Sequence, residues 1–287
     1  MMNGGKQSIP LTDTTSTPSS RNLWLRVASA AVLAPLAIAA AWIGGWPFTL
    51  FWGIAAIAVW WEWIGLVEPS GRNVVLATGI CALMLQGILF ETGQLSIALM
   101  IVALGVLAGI VTAGKRSTPA AIGVIYASSL LLAAVILRSD VGYGFAAIVF
   151  LFAIVWSTDV AAFFAGRAIG GPKLAPSISP KKTWSGAIAG LLLAIAAAIG
   201  VAALFSIGNP IMIGVVAAVL SVFSQLGDLF ESGLKRSFEV KDASALIPGH
   251  GGVMDRLDGF IFAVAAAAII GVARGGLDNP AAGLLIW

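Results

Sequence analysis

One cysteine, one histidine and two tyrosines occur in 287 residues, and only 10% of the chain is charged. The lone Cys81 cannot close an intrachain disulfide; it lies in an apolar run, where a thiol behaves as a small hydrophobe. So little charge, beside 59% hydrophobic residues and a mean hydropathy of +1.00, excludes an ordinary soluble domain. No period of about 20–50 residues recurs, which argues against a duplicated transporter. The apolar runs are continuous rather than alternating, so helices and not barrel strands are the expected spanning structure.

What is present is a series of runs long enough to cross a bilayer, which takes about 20 apolar residues. We read about nine, near 25–43, 46–66, 73–90, 95–114, 119–137, 144–166, 185–205, 210–232 and 257–273. The expected fold class is all-α: a polytopic transmembrane helical protein. Residues 1–21 are polar and rich in Ser, Thr and Pro, and read as a flexible tail. The first apolar run begins only after Arg26 and is long enough to span and stay, unlike a cleaved signal peptide. Residues 22–143 then form an N-terminal membrane region of about five spans, and 144–287 a C-terminal catalytic region of about four.

Lys and Arg set the orientation. With the N-terminus in the cytoplasm, 14 of the 16 Lys and Arg fall on the inside, and only Arg138 and Arg274 fall outside. The basic balance thus reflects topology first and anionic ligands second, and no nucleic-acid partner is expected.

The scarce charge is not spread evenly. Lys235 to Gly259 gathers Lys235, Arg236, Glu239, Lys241, Asp242, Asp255, Arg256 and Asp258 with the only histidine, His250. On a helix, Asp228, Glu231, Ser232 and Lys235 share one side, and Asp255 and Asp258 share another one turn apart. Two carboxylate-bearing helix ends therefore flank one basic, Gly-rich loop. Ionisable groups at membrane depth are costly and usually face a partner or a cavity. Asp159 belongs with this cluster, whereas Glu62 stands apart in an early span and is expected to matter less.

Gly249, Gly251 and Gly252 let the backbone approach a ligand closely, and successive N–H groups in such turns bind anions. Lys235, Arg236, Lys241 and Arg256 suit phosphate. A second basic loop, 170–184, carries Lys173, Ser179, Lys181, Lys182 and Thr183. Alone it reads as positive-inside anchoring to anionic lipid; beside the carboxylates it suits a nucleotide or a phospholipid headgroup. A cation-coupled transporter is the rival reading, though such a site belongs near the bilayer midplane rather than at helix ends.

The stretch resembles the signature of the phosphatidate cytidylyltransferases, or CDP-diacylglycerol synthases. That signature is matched here by Ser232, Lys235, Arg236, Lys241, Asp242, Pro248, His250, Gly251, Gly252, Asp255, Arg256 and Asp258. Upstream, Asp159, Gly166, Arg167, Lys173, Leu174, Pro176, Ser179, Pro180, Lys182 and Thr183 match the preceding span and loop. The chain departs at Ser185, where the family usually has Glu or Gln, and at Ala243 and Gly259, where it often has Ser. An Asp-Gly-x-x-Ala-Arg run, which would mark a CDP-alcohol phosphotransferase, does not occur.

The resemblance implies a Mg2+-dependent reaction of CTP with phosphatidic acid at the cytoplasmic ends of the C-terminal helices, in a bacterial plasma membrane. It implies Asp228 and Asp255 as leading metal ligands, with Asp258, Asp242 and Asp159 supplementing them and a second cation accommodated. Lys235, Arg236, Lys241 and Arg256 would neutralise phosphates, His250 would donate to phosphate or hydroxyl, and Ser179, Lys181, Lys182 and Thr183 would touch nucleotide or headgroup. Membrane lipids and a second copy, as a homodimer, are the further expected partners. The topology is testable. In a Cys81→Ala background, single cysteines in the 170–184 loop and near Asn209 should label from opposite sides of sealed vesicles. Labelling from one side overturns the alternation.

Overall fold

The computed structural model describes residues 20–68, 70–240, 243–244, 246 and 251–287, with side chains described from residue 31. The expected tail therefore lies almost wholly outside the described residues. The long helices are α1 (Ser20–Ile43), α2 (Gly45–Val67), α3 (Arg72–Glu91), α4 (Leu95–Thr112), α5 (Ser117–Ser139), α6 (Gly144–Ala168), α7 (Trp184–Leu204), α8 (Pro210–Ser237) and α9 (Met254–Gly275). Among the described residues, eight helices are long and apolar enough to cross a membrane, and α1 adds the apolar stretch Ala31–Ile43. The chain is an all-α polytopic membrane protein.

Two elements were not expected from the sequence. Lys173–Ala175 (β1) and Ser179–Thr183 (β2) form an antiparallel hairpin with Lys173 opposite Thr183 and Ala175 opposite Ser179. Pro280–Leu285 forms a short helix, α10. α8 and α9 also reach further into the charged stretch than their apolar runs do, ending at Ser237 and starting at Met254. Charged residues that hydropathy leaves in a loop are thereby held on helix ends.

Burial ranks the helices. Of the apolar window that includes α5, 78% is buried, against 11% for α4, so α5 is the central post and α4 the outer rim. Two tryptophans of α2 lock onto this frame. Trp63 Nε1–H donates to Pro119 O at 2.9 Å, and Trp60 Nε1–H donates to Leu76 O at 3.1 Å. Gly123 and Gly79 lie against these indoles, where any Cβ would strike the ring.

α6 and α7 cross closely because α7 turns a stripe of small residues toward its neighbour: Gly186, Gly190, Ala194, Ala198 and Ala202 are all buried. A Cβ at Gly186 would lie 2.7 Å from Ala162 O, and one at Gly190 2.8 Å from Thr158 O. Lipid supplies no hydrophobic drive between helices, so backbone approach through small residues has to supply the packing. The same device joins α8 to α9, where a Cβ at Gly259 would lie 2.6 Å from Ser224 Oγ and one at Gly227 would strike Asp258 O.

At the end of the bundle away from the charged stretch, three ionisable groups serve as fasteners. Arg138 donates to Ala41 O and Trp42 O at the end of α1. Arg274 donates to Gly283 O and Ile286 O and stacks on Trp287. Asp140, 3% exposed, accepts from Gly142 N, Tyr143 N and, at 2.8 Å, Ala282 N in α10. Asp140→Ala should lower stability by about 1–3 kcal/mol, because it strands buried N–H groups. Detergent thermal unfolding would show this, and turnover per folded molecule should stay near wild type.

Candidate active site

Thr183 closes the hairpin and opens α7. Its hydroxyl accepts from Gly186 N at 3.2 Å as the N-cap, and Ser185 Oγ lies 3.0 Å from it and donates to Gly170 O. Ser185 is thus used to fasten the hairpin to the end of α6. The hairpin swings Lys173, Lys181 and Lys182 over a cavity bounded by α6, α8 and α9. On α6, Thr158 is buried and bonded across to Ser221 of α8 at 2.8 Å, which fixes the rotation that turns Asp159 into the same cavity.

The cavity measures about 910 Å³, toward the upper end of the roughly 300–1,000 Å³ of ligand pockets. Its wall is charged on one side and apolar on another. Asp159, Asp228, Glu231, Asp255 and Asp258 line it with Arg167, Lys181, Lys182, Lys235 and Arg256, and Ala162, Phe163 and Leu174 complete it. Phe163 of α6 is an exposed apolar side chain in this lining.

Within it, Lys235 is held by two carboxylates. Its Nζ lies 2.6 Å from Glu231 Oε2 and 2.6 Å from Asp255 Oδ1. Asp255 is further satisfied by Gly252 N at 2.8 Å and Ala243 N at 3.2 Å, both to Oδ2. Asp228 has its own cation, Lys182 Nζ, at 2.5 Å, and a longer bond from Ser232 Oγ at 3.4 Å. Asp258, which accepts from Gly259 N at 2.7 Å, lines the same cavity as Asp228 and Asp159.

The matched family model is that of the cytidylyltransferase family, over residues 24–273. A protein of Brucella suis biovar 1 (strain 1330) named phosphatidate cytidylyltransferase is 42% identical over 271 residues, which cover 91% of this chain and 97% of that protein. One of Bacillus subtilis (strain 168) with the same name is 43% identical over 121 residues, 42% of this chain and 45% of that protein. The chain belongs to the cytidylyltransferase family.

In this cytidylyltransferase, ten of the expected site residues line the same cavity. Asp228, Lys235, Asp255, Arg256 and Asp258 share one cavity with Asp159, Lys173, Lys181, Lys182 and Thr183. Arg236 and Ser179 are not part of its lining, and Arg236 is exposed. Lys241, Asp242, Gly249 and His250 lie outside the described residues. Glu231, Arg167 and Gln225 line the cavity without having been singled out as site residues. Glu231 was visible as an intramembrane acid, while Gln225 carried no charge signal.

Gly251 has φ +83°, a conformation open chiefly to glycine, and a Cβ there would sit 3.1 Å from Asp255 Oδ2. The N–H of Gly252 donates to Asp255, and those of Val253 and Met254 donate to Glu62. The Lys235 knot yields a graded prediction. Lys235→Met strands two carboxylates and should cost about 3–5 kcal/mol of stability, whereas Glu231→Gln leaves the Lys235–Asp255 pair intact and should cost less than half as much. Thermal unfolding of the two variants in one detergent checks the order.

Proposed function

We propose that this protein transfers the cytidylyl group of CTP to phosphatidic acid, giving CDP-diacylglycerol and pyrophosphate in phospholipid biosynthesis. The observation that carries this reading is a cavity lined with acids, bases and apolar side chains at the end of a membrane bundle, in a chain similar along 91% of its length to a protein named phosphatidate cytidylyltransferase. A soluble nucleotide and a lipid phosphate have to meet in such a place. The basic loops put the cavity on the cytoplasmic side by the positive-inside rule.

The chemistry asks little of a general base. A phosphate monoester is already anionic at neutral pH, so its oxygen attacks the α-phosphorus of CTP directly. The bond to the β-phosphate oxygen breaks, and pyrophosphate leaves. The protein must align the two phosphates and neutralise their charge. Arg167, Lys173, Lys181, Lys182 and Arg256 surround the space where phosphates would lie. Lys235 has two of its three donors committed to Glu231 and Asp255, which leaves the third to be aimed at a phosphate oxygen.

The donor set also fits a hard divalent cation. Asp159, Asp228 and Asp258 line one cavity, and the ammonium of Lys182 stands beside Asp228 where a cation would be favoured. Among the described residues no three acidic or histidine side chains close around an ion by themselves. That suits Mg2+, which takes one or two carboxylates and completes its shell with water and substrate phosphates. Asp228 and Asp255, each now paired with a lysine, would hold it, with Asp258 in the same cavity. When bound, Mg2+ would neutralise charge on the nucleotide phosphates.

Purified protein given CTP and phosphatidic acid should release pyrophosphate, and EDTA should stop it. Asp228→Asn keeps the shape but loses the charge, and should lower kcat by at least about 100-fold, roughly 2.7 kcal/mol. Release of pyrophosphate without phosphatidic acid, or an undiminished Asp228→Asn, would overturn the reading.

A further inference from the structure

Glu62 is an acid inside an apolar span, far from the charged stretch in sequence, and it is 1% exposed. Burying an ionised carboxylate without partners costs several kcal/mol. Its partners come from residues nearly two hundred positions away. Oε1 accepts from Val253 N at 2.8 Å and from Ser244 Oγ at 2.6 Å, and Oε2 accepts from Met254 N at 2.7 Å. Among the described residues, all three donors are uncharged. The arrangement is a helix cap supplied from another helix. α9 has no side-chain cap of its own: its N-cap residue is Val253. A carboxylate at that end satisfies first-turn N–H groups and complements the helix dipole.

The contact is close enough to dictate the neighbouring residue. A Cβ at Gly252 would sit 2.7 Å from Glu62 Oε2, so glycine is what lets the carboxylate seat. α2 meets α9 again further down, where Trp52 stacks on Phe260 with centroids 4.8 Å apart. α9 is therefore pinned to α2 at two points, one of them its first turn. That turn carries Asp255, which holds Lys235, and leads to Asp258. Glu62 itself does not line the cavity.

We infer that Glu62 is a positioning residue: it caps α9 from α2 and sets where Asp255 and Asp258 stand in the active site. The inference rests on the activity proposed above for its kinetic arm only.

The test compares two carboxylates of similar chemistry at opposite ends of the bundle. Glu62→Gln and Asp140→Asn each leave one good acceptor and put an amide N–H against a backbone donor. In Glu62→Gln, kcat should fall by about 10- to 100-fold with the KM for CTP within about threefold, as misplacement of reacting groups predicts. Asp140→Asn should keep the wild-type kcat per folded molecule. Amide hydrogen exchange at Val253 and Met254 should accelerate in Glu62→Gln and stay unchanged in Asp140→Asn. Unchanged exchange in Glu62→Gln overturns the cap, whether or not the protein consumes CTP. Faster exchange with a wild-type kcat overturns the positioning role. Should Glu62→Gln fail to insert, Ser244→Ala removes one bond of the three. It should then lower kcat by about threefold, and a kcat unchanged from wild type would overturn the inference.

Discussion

A carboxylate at the edge of a bilayer has to be given donors or a cation, and this bundle is arranged around meeting that demand. Desolvating an ion costs several kcal/mol, and a single misplaced partner leaves most of that cost unrecovered. Here Lys235 serves Glu231 and Asp255 together, Lys182 serves Asp228, and backbone N–H groups serve Asp255 and Glu62. The remaining acids of the site, Asp159 and Asp258, line the cavity with Asp228. Charge is neutralised where the fold must be rigid and left in excess where an anionic substrate and its counter-cation are expected.

Holding these groups in register requires helices that approach closely. Gly186 and Gly190 bring α7 down onto the backbone of α6, and Gly227 and Gly259 do the same for α8 and α9. The two crossings converge on the cavity. A methyl group at any of these four positions would push a helix outward by part of a Cβ radius, and the ion pairs at 2.5–2.6 Å have no slack to absorb it. Side-chain chemistry and backbone proximity are thus one constraint: the charges need the small residues next to them.

Helical spacing was enough to place Asp228, Glu231, Ser232 and Lys235 on one wall, because a regular helix continues through that stretch to Ser237. Hydropathy located the spans but not the end of α8 or the start of α9, since the last turn of α8 and the first turns of α9 carry the charge that hydropathy scores as loop. The hairpin was hidden by its Pro and Lys content, which reads as anchoring. The stripe from Gly186 to Ala202 was legible at a spacing of four and went unread. Gly252 has a neighbour that the sequence did not announce. A glycine next to basic residues suggests a phosphate, and only the fold reveals that a carboxylate from α2 occupies the space. No local pattern links positions 62 and 253; what the sequence did offer was the oddity of a glutamate between Trp61 and Trp63 in an apolar run.

That oddity bears on why the N-terminal half is needed at all. Among the described residues, the cavity lining lies on α6 to α9 and the hairpin. Yet α9, which carries two of the acids, has no side-chain cap of its own and packs against α5 and α2. An uncapped helix end in apolar surroundings frays, and here fraying would release Asp255, then Lys235, then the charge balance of the whole cavity. A single carboxylate on α2, seated by Gly252, prevents it. The N-terminal helices therefore do more than fill the membrane. Through Trp60, Trp63 and the buried core they fix α2, and through α2 they fix the first turn of the helix on which the chemistry stands.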